Sequence, residues 1–129
     1  MKRKSIVKQA VILAGGKGER LMPLTADKNK GMVVVFGKPF LEHLLELLKK
    51  NGIERILILT GYAPESITNY FGNGEKFGLK ISYHHAPPEI NHGKRLALAL
   101  PLIDSLFLLH KCDIYWPFDL NKHLDRFRE

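Results

Sequence analysis

Ala10-Val11-Ile12-Leu13-Ala14-Gly15-Gly16-Lys17-Gly18-Glu19-Arg20-Leu21-Met22-Pro23-Leu24-Thr25 is the stretch around which the remaining residues arrange themselves. Its first five residues form a continuous apolar run, the mark of a strand buried on both faces and so of a parallel sheet. Gly15, Gly16 and Gly18 then make a turn open to backbone angles that other residues avoid. With no side chains in the way, the N–H groups of such a turn can close around an anion. Lys17 and Arg20 place cations beside it, and Arg20 can grip a phosphate through two parallel hydrogen bonds.

Two familiar glycine motifs do not fit. A P-loop ends in Gly-Lys-Ser/Thr, and nothing of that kind follows Gly18. The dinucleotide fingerprint G-x-G-x-x-G begins at Gly16 and Gly18 but meets Leu21 where its third glycine belongs.

The other apolar segments read outward from this one. Met32 to Phe36 predicts a short strand, and Phe40 to Lys50 a helix whose Phe40, Leu41, Leu44, Leu45 and Leu48 share one face. Pro39 suits its first turn and Asn51-Gly52 its end. Ile53 to Thr60 reads as a second long strand, Glu65 to Phe71 as a short helix, and Leu79 to His84 as a third strand. Lys94 to Ile103 predicts a helix limited by Pro101. Ser105 to His110 reads as a fourth buried strand running into Lys111-Cys112-Asp113, and Asp119 to Glu129 as the first turns of a further helix. Strands alternating with helices imply right-handed crossovers and an α/β fold, a Rossmann-like three-layer sandwich on a mainly parallel sheet. Ligands of such sheets sit beyond the carboxyl ends of the strands. The glycine turn, Thr60-Gly61 and Asp113 are therefore expected on one edge.

A chain of 129 residues makes one domain with a real core. Its net charge of +7, from 20 Lys and Arg against 13 Asp and Glu, suits anionic partners, although a solvated basic surface explains many of these charges equally well. Nucleic acid is disfavoured because aromatic residues do not interleave with the basic clusters. No apolar run approaches a membrane span. Lys2-Arg3-Lys4 ahead of the apolar stretch imitates a signal peptide, but Lys8 and Gln9 interrupt it and no clear cleavage site follows. Cys112 is the only cysteine, so no internal disulfide forms; a reducing, cytoplasmic setting is expected.

The opening stretch resembles the entry motif of the sugar-1-phosphate nucleotidyltransferases, approximately LAGGxGxRLxPLT, at every fixed position from Leu13 to Thr25. The resemblance continues through Gly37-Lys38-Pro39-Phe40-Leu41-Glu42, Thr60-Gly61-Tyr62 and Tyr70-Phe71-Gly72-Asn73-Gly74 with Phe77-Gly78. In that family a sugar 1-phosphate attacks the α-phosphate of a nucleoside triphosphate and pyrophosphate leaves. The resemblance implies nucleotide contacts at Leu13, Ala14, Gly15, Gly16, Lys17, Gly18, Arg20, Thr60, Gly61 and Gly93. Arg20 would bind the triphosphate and Lys30 would stabilise charge at the reacting phosphate. Asp113 matches a magnesium ligand, so Mg2+ is the implied cofactor. The subgroup it most resembles is the guanylyltransferases for mannose- or heptose-type 1-phosphates of cell-surface polysaccharide pathways, which favours GTP. A dTTP- or UTP-dependent enzyme acting on glucose 1-phosphate is the alternative, and a non-catalytic nucleotide-binding or subunit module is another.

Departures from the family pattern shape further expectations. The Pro-Lys-Pro-Met segment stands here as Asn29-Lys30-Gly31-Met32, and losing both prolines predicts a looser lysine loop. The base-recognising stretch appears as Asn91-His92-Gly93-Lys94-Arg95-Leu96, keeping only Gly93 and Leu96 of the common form. Residues 1–129 thus resemble the N-terminal, nucleotide-binding part of the domain without the sugar-binding part. An apparently truncated sheet of this kind is expected to leave apolar surface uncovered and to favour a homo-oligomer.

Overall fold

The computed structural model describes residues 6–128, so the Lys2-Arg3-Lys4 tail and Glu129 lie outside the described residues. In chain order come β1 (Gln9–Ala14), β2 (Val34–Val35), β3 (Lys38–Pro39), α1 (Phe40–Lys50), β4 (Arg55–Thr60), α2 (Pro64–Phe71), β5 (Lys80–His85), α3 (His92–Ala99), β6 (Leu108–Lys111) and α4 (Leu120–Arg128). The main sheet has the order β5-β4-β1-β6, and every pairing in it is parallel. All six residues of β1 are buried, as a central parallel strand with helices on both faces requires.

Alternation along the strands divides the core into two. Ala10, Ile12, Ile56, Ile58 and Ile81 meet Leu41, Leu44, Leu45 and Leu48 of α1, Ile67 and Phe71 of α2 and Leu120 of α4. These four of the five leucines of α1 are 0–1% exposed, and each stabilises the fold by about 1.5–3 kcal/mol relative to exposure. On the opposite face, Val11, Leu13, Leu57 and Leu59 cluster with Ala99, and half-buried Leu96, Ile103 and Phe107 pack against them. This third layer is thin. Leu98, Leu100, Leu102 and Leu109 remain exposed beside it.

Three sequence expectations change. The strand expected over Met32 to Phe36 is instead a 3-10 turn, Lys30–Met32, followed by the two-residue β2. Positive φ at Phe36 and Gly37 folds β2 straight back onto β3, leaving no length for more. The helix expected over Lys94 to Ile103 starts earlier, because Asn91 caps it by accepting from the Lys94 N–H at 2.9 Å. It then tightens into a 3-10 turn at Leu100–Leu102, where Pro101 has no N–H to continue it.

The fourth strand spans only Leu108–Lys111 and is half-exposed rather than buried. Pairing starts at Leu108 because its partner Ala10 is already near the start of β1. The preceding backbone is tied down by Gln9, whose Nε2 donates to Leu102 O at 2.9 Å and whose Oε1 accepts from the Asp104 N–H at 2.8 Å. Among the described residues β6 is an edge strand, paired only with β1.

Candidate nucleotide-phosphate site

The chain leaves β1 towards β4 and β5 on one side and returns to β6 on the other. A parallel sheet opens a crevice where its order reverses, at the carboxyl ends of the strands. That point lies between β1 and β6. The glycine turn follows β1, Thr60-Gly61 closes β4, and Asp113 stands just beyond β6, so the three features expected on one edge are on it.

The glycine turn is held from below. Gly15 is buried between Gly61 and Arg95; a Cβ on Gly61 would lie 2.5 Å from Gly15 O, which only glycine avoids. The Tyr62 N–H donates to that same carbonyl at 3.1 Å. Tyr62 Oη lies 2.8 Å from the carbonyls of both Thr25 and Ala26, and Thr25 Oγ1 donates to Gly18 O at 2.7 Å. The far arm of the loop is thereby folded back on the turn. Gly18 takes a left-handed conformation, φ 63°. A turn fixed this way needs little reordering to receive an anion.

Of the residues expected at the nucleotide, Leu13, Ala14, Thr60 and Gly61 form the buried floor of the site. Thr60 Oγ1 pairs with His85 Nδ1 at 3.1 Å instead of facing the opening. Gly16, Lys17, Gly18 and Arg20 make its accessible rim. Lys17 Nζ is 3.9 Å from Glu89, across from the loop that joins β5 to α3. Arg20 is exposed and has no carboxylate partner among the described residues. Gly93 lies in the first turn of α3, where a Cβ would meet only the Asn91 side chain, at 3.5 Å.

Lys30 and Asp113 meet. Their Nζ and Oδ2 atoms are 3.1 Å apart, and a Cβ on Gly16 would be 3.7 Å from the same Nζ. A flexible cation and a carboxylate thus face each other beside the glycine turn, at the switch point.

The looseness expected of the lysine loop is not found. Asn29, fully buried, donates from Nδ2 to Ala14 O at 2.7 Å and accepts from the Gly31 N–H at 2.8 Å through Oδ1. Its own N–H donates to Ser66 Oγ at 3.0 Å. One amide side chain therefore ties the loop to the end of β1 and caps the turn that carries Lys30. Sequence reading missed it; the available signal was an N-cap residue immediately ahead of that lysine.

Arg95 was missed too. Its side chain is 1% exposed, and its guanidinium donates to the carbonyls of Thr60, Ala86, Pro87 and Ile90 at 2.6, 2.9, 2.8 and 3.1 Å. Burial lowers its pKa.

Among the described residues no cluster of three His, Cys, Asp or Glu side chains could hold a metal ion. The Cys112 thiol is buried, and burial above all pushes its pKa up to about 12, so it offers no thiolate. Asp113 is the remaining donor, with a side chain 38% exposed. One accessible carboxylate fits a hard divalent cation that brings phosphate oxygens and water as its other ligands.

A parallel sheet with a braced glycine turn, loop cations and a carboxylate at its switch point defines an α/β protein with a candidate phosphate site. The sequence model described as "Nucleotidyl transferase" matches residues 9–129, and the chain belongs to that family. It is 39% identical over 121 residues to the UTP–glucose-1-phosphate uridylyltransferase AglF of Haloferax volcanii, covering 94% of this chain and 49% of the relative. It is 34% identical over 114 residues to the D-glycero-alpha-D-manno-heptose 1-phosphate guanylyltransferase of Campylobacter jejuni, covering 88% and 51%. The structure of HddC from Yersinia pseudotuberculosis complexed with GMP-PN superposes with a TM-score of 0.81 at 29% identity, covering 93% of this chain and 54% of that one. The chain spans about half the length of these proteins. The Rossmann-like α/β fold expected from sequence is the fold observed.

Proposed function

We propose that this chain supplies the nucleotide-binding half of an enzyme that transfers a nucleotidyl group from a nucleoside triphosphate to a sugar 1-phosphate. The observation that carries this reading is the meeting of Lys30 and Asp113 beside the braced glycine turn. Two anions must approach each other in such a reaction, and negative charge grows on the departing pyrophosphate. Positioning and electrostatics then supply most of the catalysis. The N–H groups of Gly15 to Gly18 and the Arg20 guanidinium hold the triphosphate. Lys30 reaches the α-phosphate as the sugar phosphate oxygen attacks it. Asp113 is the residue that would hold Mg2+, which supplies further neutralisation of the phosphates when bound. Guanosine is the base favoured, in keeping with the heptose 1-phosphate guanylyltransferase and the GMP-PN complex; the uridylyltransferase relative makes UTP the alternative, with dTTP a third. Cell-surface polysaccharide synthesis in the cytoplasm is the setting that fits, and no helix among the described residues is long and apolar enough to cross a membrane.

Calorimetric titration with GTP, UTP, dTTP, CTP and ATP in the presence of Mg2+ tests the reading. One nucleotide is expected to bind saturably. Arg20→Ala is expected to weaken it by about ten- to a hundredfold, the loss of one charge-assisted hydrogen-bonding group, without lowering the melting temperature. No binding by a folded wild-type chain would overturn the proposal. Binding without pyrophosphate release when sugar 1-phosphates are added would leave a nucleotide-binding module.

A further inference from the structure

Arg95 carries a full charge into the interior with no carboxylate beside it among the described residues. Burying a guanidinium is costly unless its hydrogens are satisfied, and here only carbonyl oxygens satisfy them. Those oxygens are not scattered. Thr60 O lies at the end of β4, whereas Ala86, Pro87 and Ile90 belong to the loop leaving β5. The flat face of the group also lies against Gly15, where any Cβ would collide with it. One side chain therefore touches the end of β4, the glycine turn and the 86–90 loop. Its Nε is buried without a hydrogen-bond partner, so the arrangement costs something even with the other donors engaged.

The rest of the loop is lightly held. The Ala86 N–H donates to Thr60 O at 3.0 Å and the Ile90 N–H to Pro87 O at 3.1 Å, while Glu89 reaches Lys17 only at 3.9 Å. Without the guanidinium, the Pro87 carbonyl keeps only a bond inside the loop, and the loop's tie to the turn is reduced to the long Lys17–Glu89 pair.

We propose that Arg95 is a positioning residue that clamps the 86–90 loop against the glycine turn, setting the wall that faces the nucleoside while the turn itself holds the phosphates. The proposal takes from the nucleotide-binding reading above that the turn holds the phosphates, and adds that the nucleoside extends past the 86–90 loop; the clamp itself concerns the free chain. Arg95 is too deeply buried to touch a nucleotide, so its effect passes through the loop.

The test compares Arg95→Gln and Arg95→Lys with the wild-type chain by amide hydrogen exchange, and by titration with GTP, UTP and inorganic tripolyphosphate. Tripolyphosphate engages the turn and its cations but has no base for the loop to meet. In Arg95→Gln, the Ala86 and Ile90 amides, which donate within and beside the loop, are expected to exchange at least about tenfold faster while those of β1 keep their protection. The affinity of whichever nucleotide the wild type binds should fall about tenfold or more, with tripolyphosphate affinity changed by less than about twofold. Arg95→Lys keeps the charge but not the planar fork, so it should fall between, and it stands in if the Gln variant does not fold. Unchanged loop exchange, a uniform rise across the whole chain, or equal losses for nucleotide and tripolyphosphate would each overturn the clamp. If the wild type binds no nucleotide, the proposed function falls, and the exchange contrast alone then upholds or overturns the clamp.

Discussion

Lys30→Ala is expected to lower pyrophosphate release by about a hundred- to a thousandfold while changing nucleotide affinity by less than about threefold. The asymmetry follows from where the charge is needed. On the proposed reading the glycine turn and Arg20 hold the triphosphate before reaction, while in the free chain Lys30 Nζ lies 3.1 Å from Asp113 Oδ2. If Lys30 acts as proposed, the ammonium gains more than that carboxylate offers only as the α-phosphate is attacked, so its contribution falls on the transition state. Single-turnover measurements with saturating nucleotide, on the chain in an assembly that turns over, separate the two effects. A loss confined to affinity would place Lys30 in ordinary ground-state binding. The same substitution frees Asp113 from its cation, so Mn2+ titrated in the absence of nucleotide is expected to bind more tightly to the variant.

Asn29→Ala is expected to destabilise the fold by about 2–4 kcal/mol, because buried backbone groups on both sides of the loop lose their partners together. Ala14 O at the end of β1 and the Gly31 N–H are both engaged by this side chain, at 2.7 and 2.8 Å. Water cannot replace it without opening the loop, since Asn29 is 0% exposed. Urea unfolding of the variant measures the cost directly. Asn29→Asp is the informative companion: it keeps an acceptor for Gly31, removes the donor to Ala14 and buries a carboxylate, so it should be no more stable than the alanine variant. A loss below about 0.5 kcal/mol for both, the range of an ordinary surface change, would mean that the loop is held by something other than Asn29.

What sequence reading could and could not reach divides along physical lines. β1 and α1 were legible because a continuous apolar run and a leucine stripe each report burial directly. The gathering of the glycine turn, Thr60-Gly61 and Asp113 on one edge followed from the parallel sheet alone. Arg95 was opaque for a definite reason. Beside Lys94 it reads as half of a solvated pair, yet the helix points Lys94 outward and Arg95 inward with Ala99, four residues on. The run Ser105 to His110 misled in the opposite sense. Its apolar character does not distinguish a central strand from an edge strand, and only the sheet order makes that difference. Asn29 hid because its partners, Ala14 and Ser66, are distant in sequence.

The all-parallel register also fixes an order of events during synthesis. β1 leaves the ribosome before both of its partners, since Ala10 pairs with Ile56 on one side and Leu108 on the other. No neighbouring hairpin shelters it meanwhile, because parallel partners must be separated by a long crossover. The most apolar strand of the protein thus waits longest for its second neighbour, and contacts so distant in sequence close slowly. During that interval β1 is at best paired on one side, a sticky segment on a nascent chain and the kind of surface that chaperones bind. The strand that becomes the protected centre of the finished sheet is the chain's main hazard while the sheet is being made.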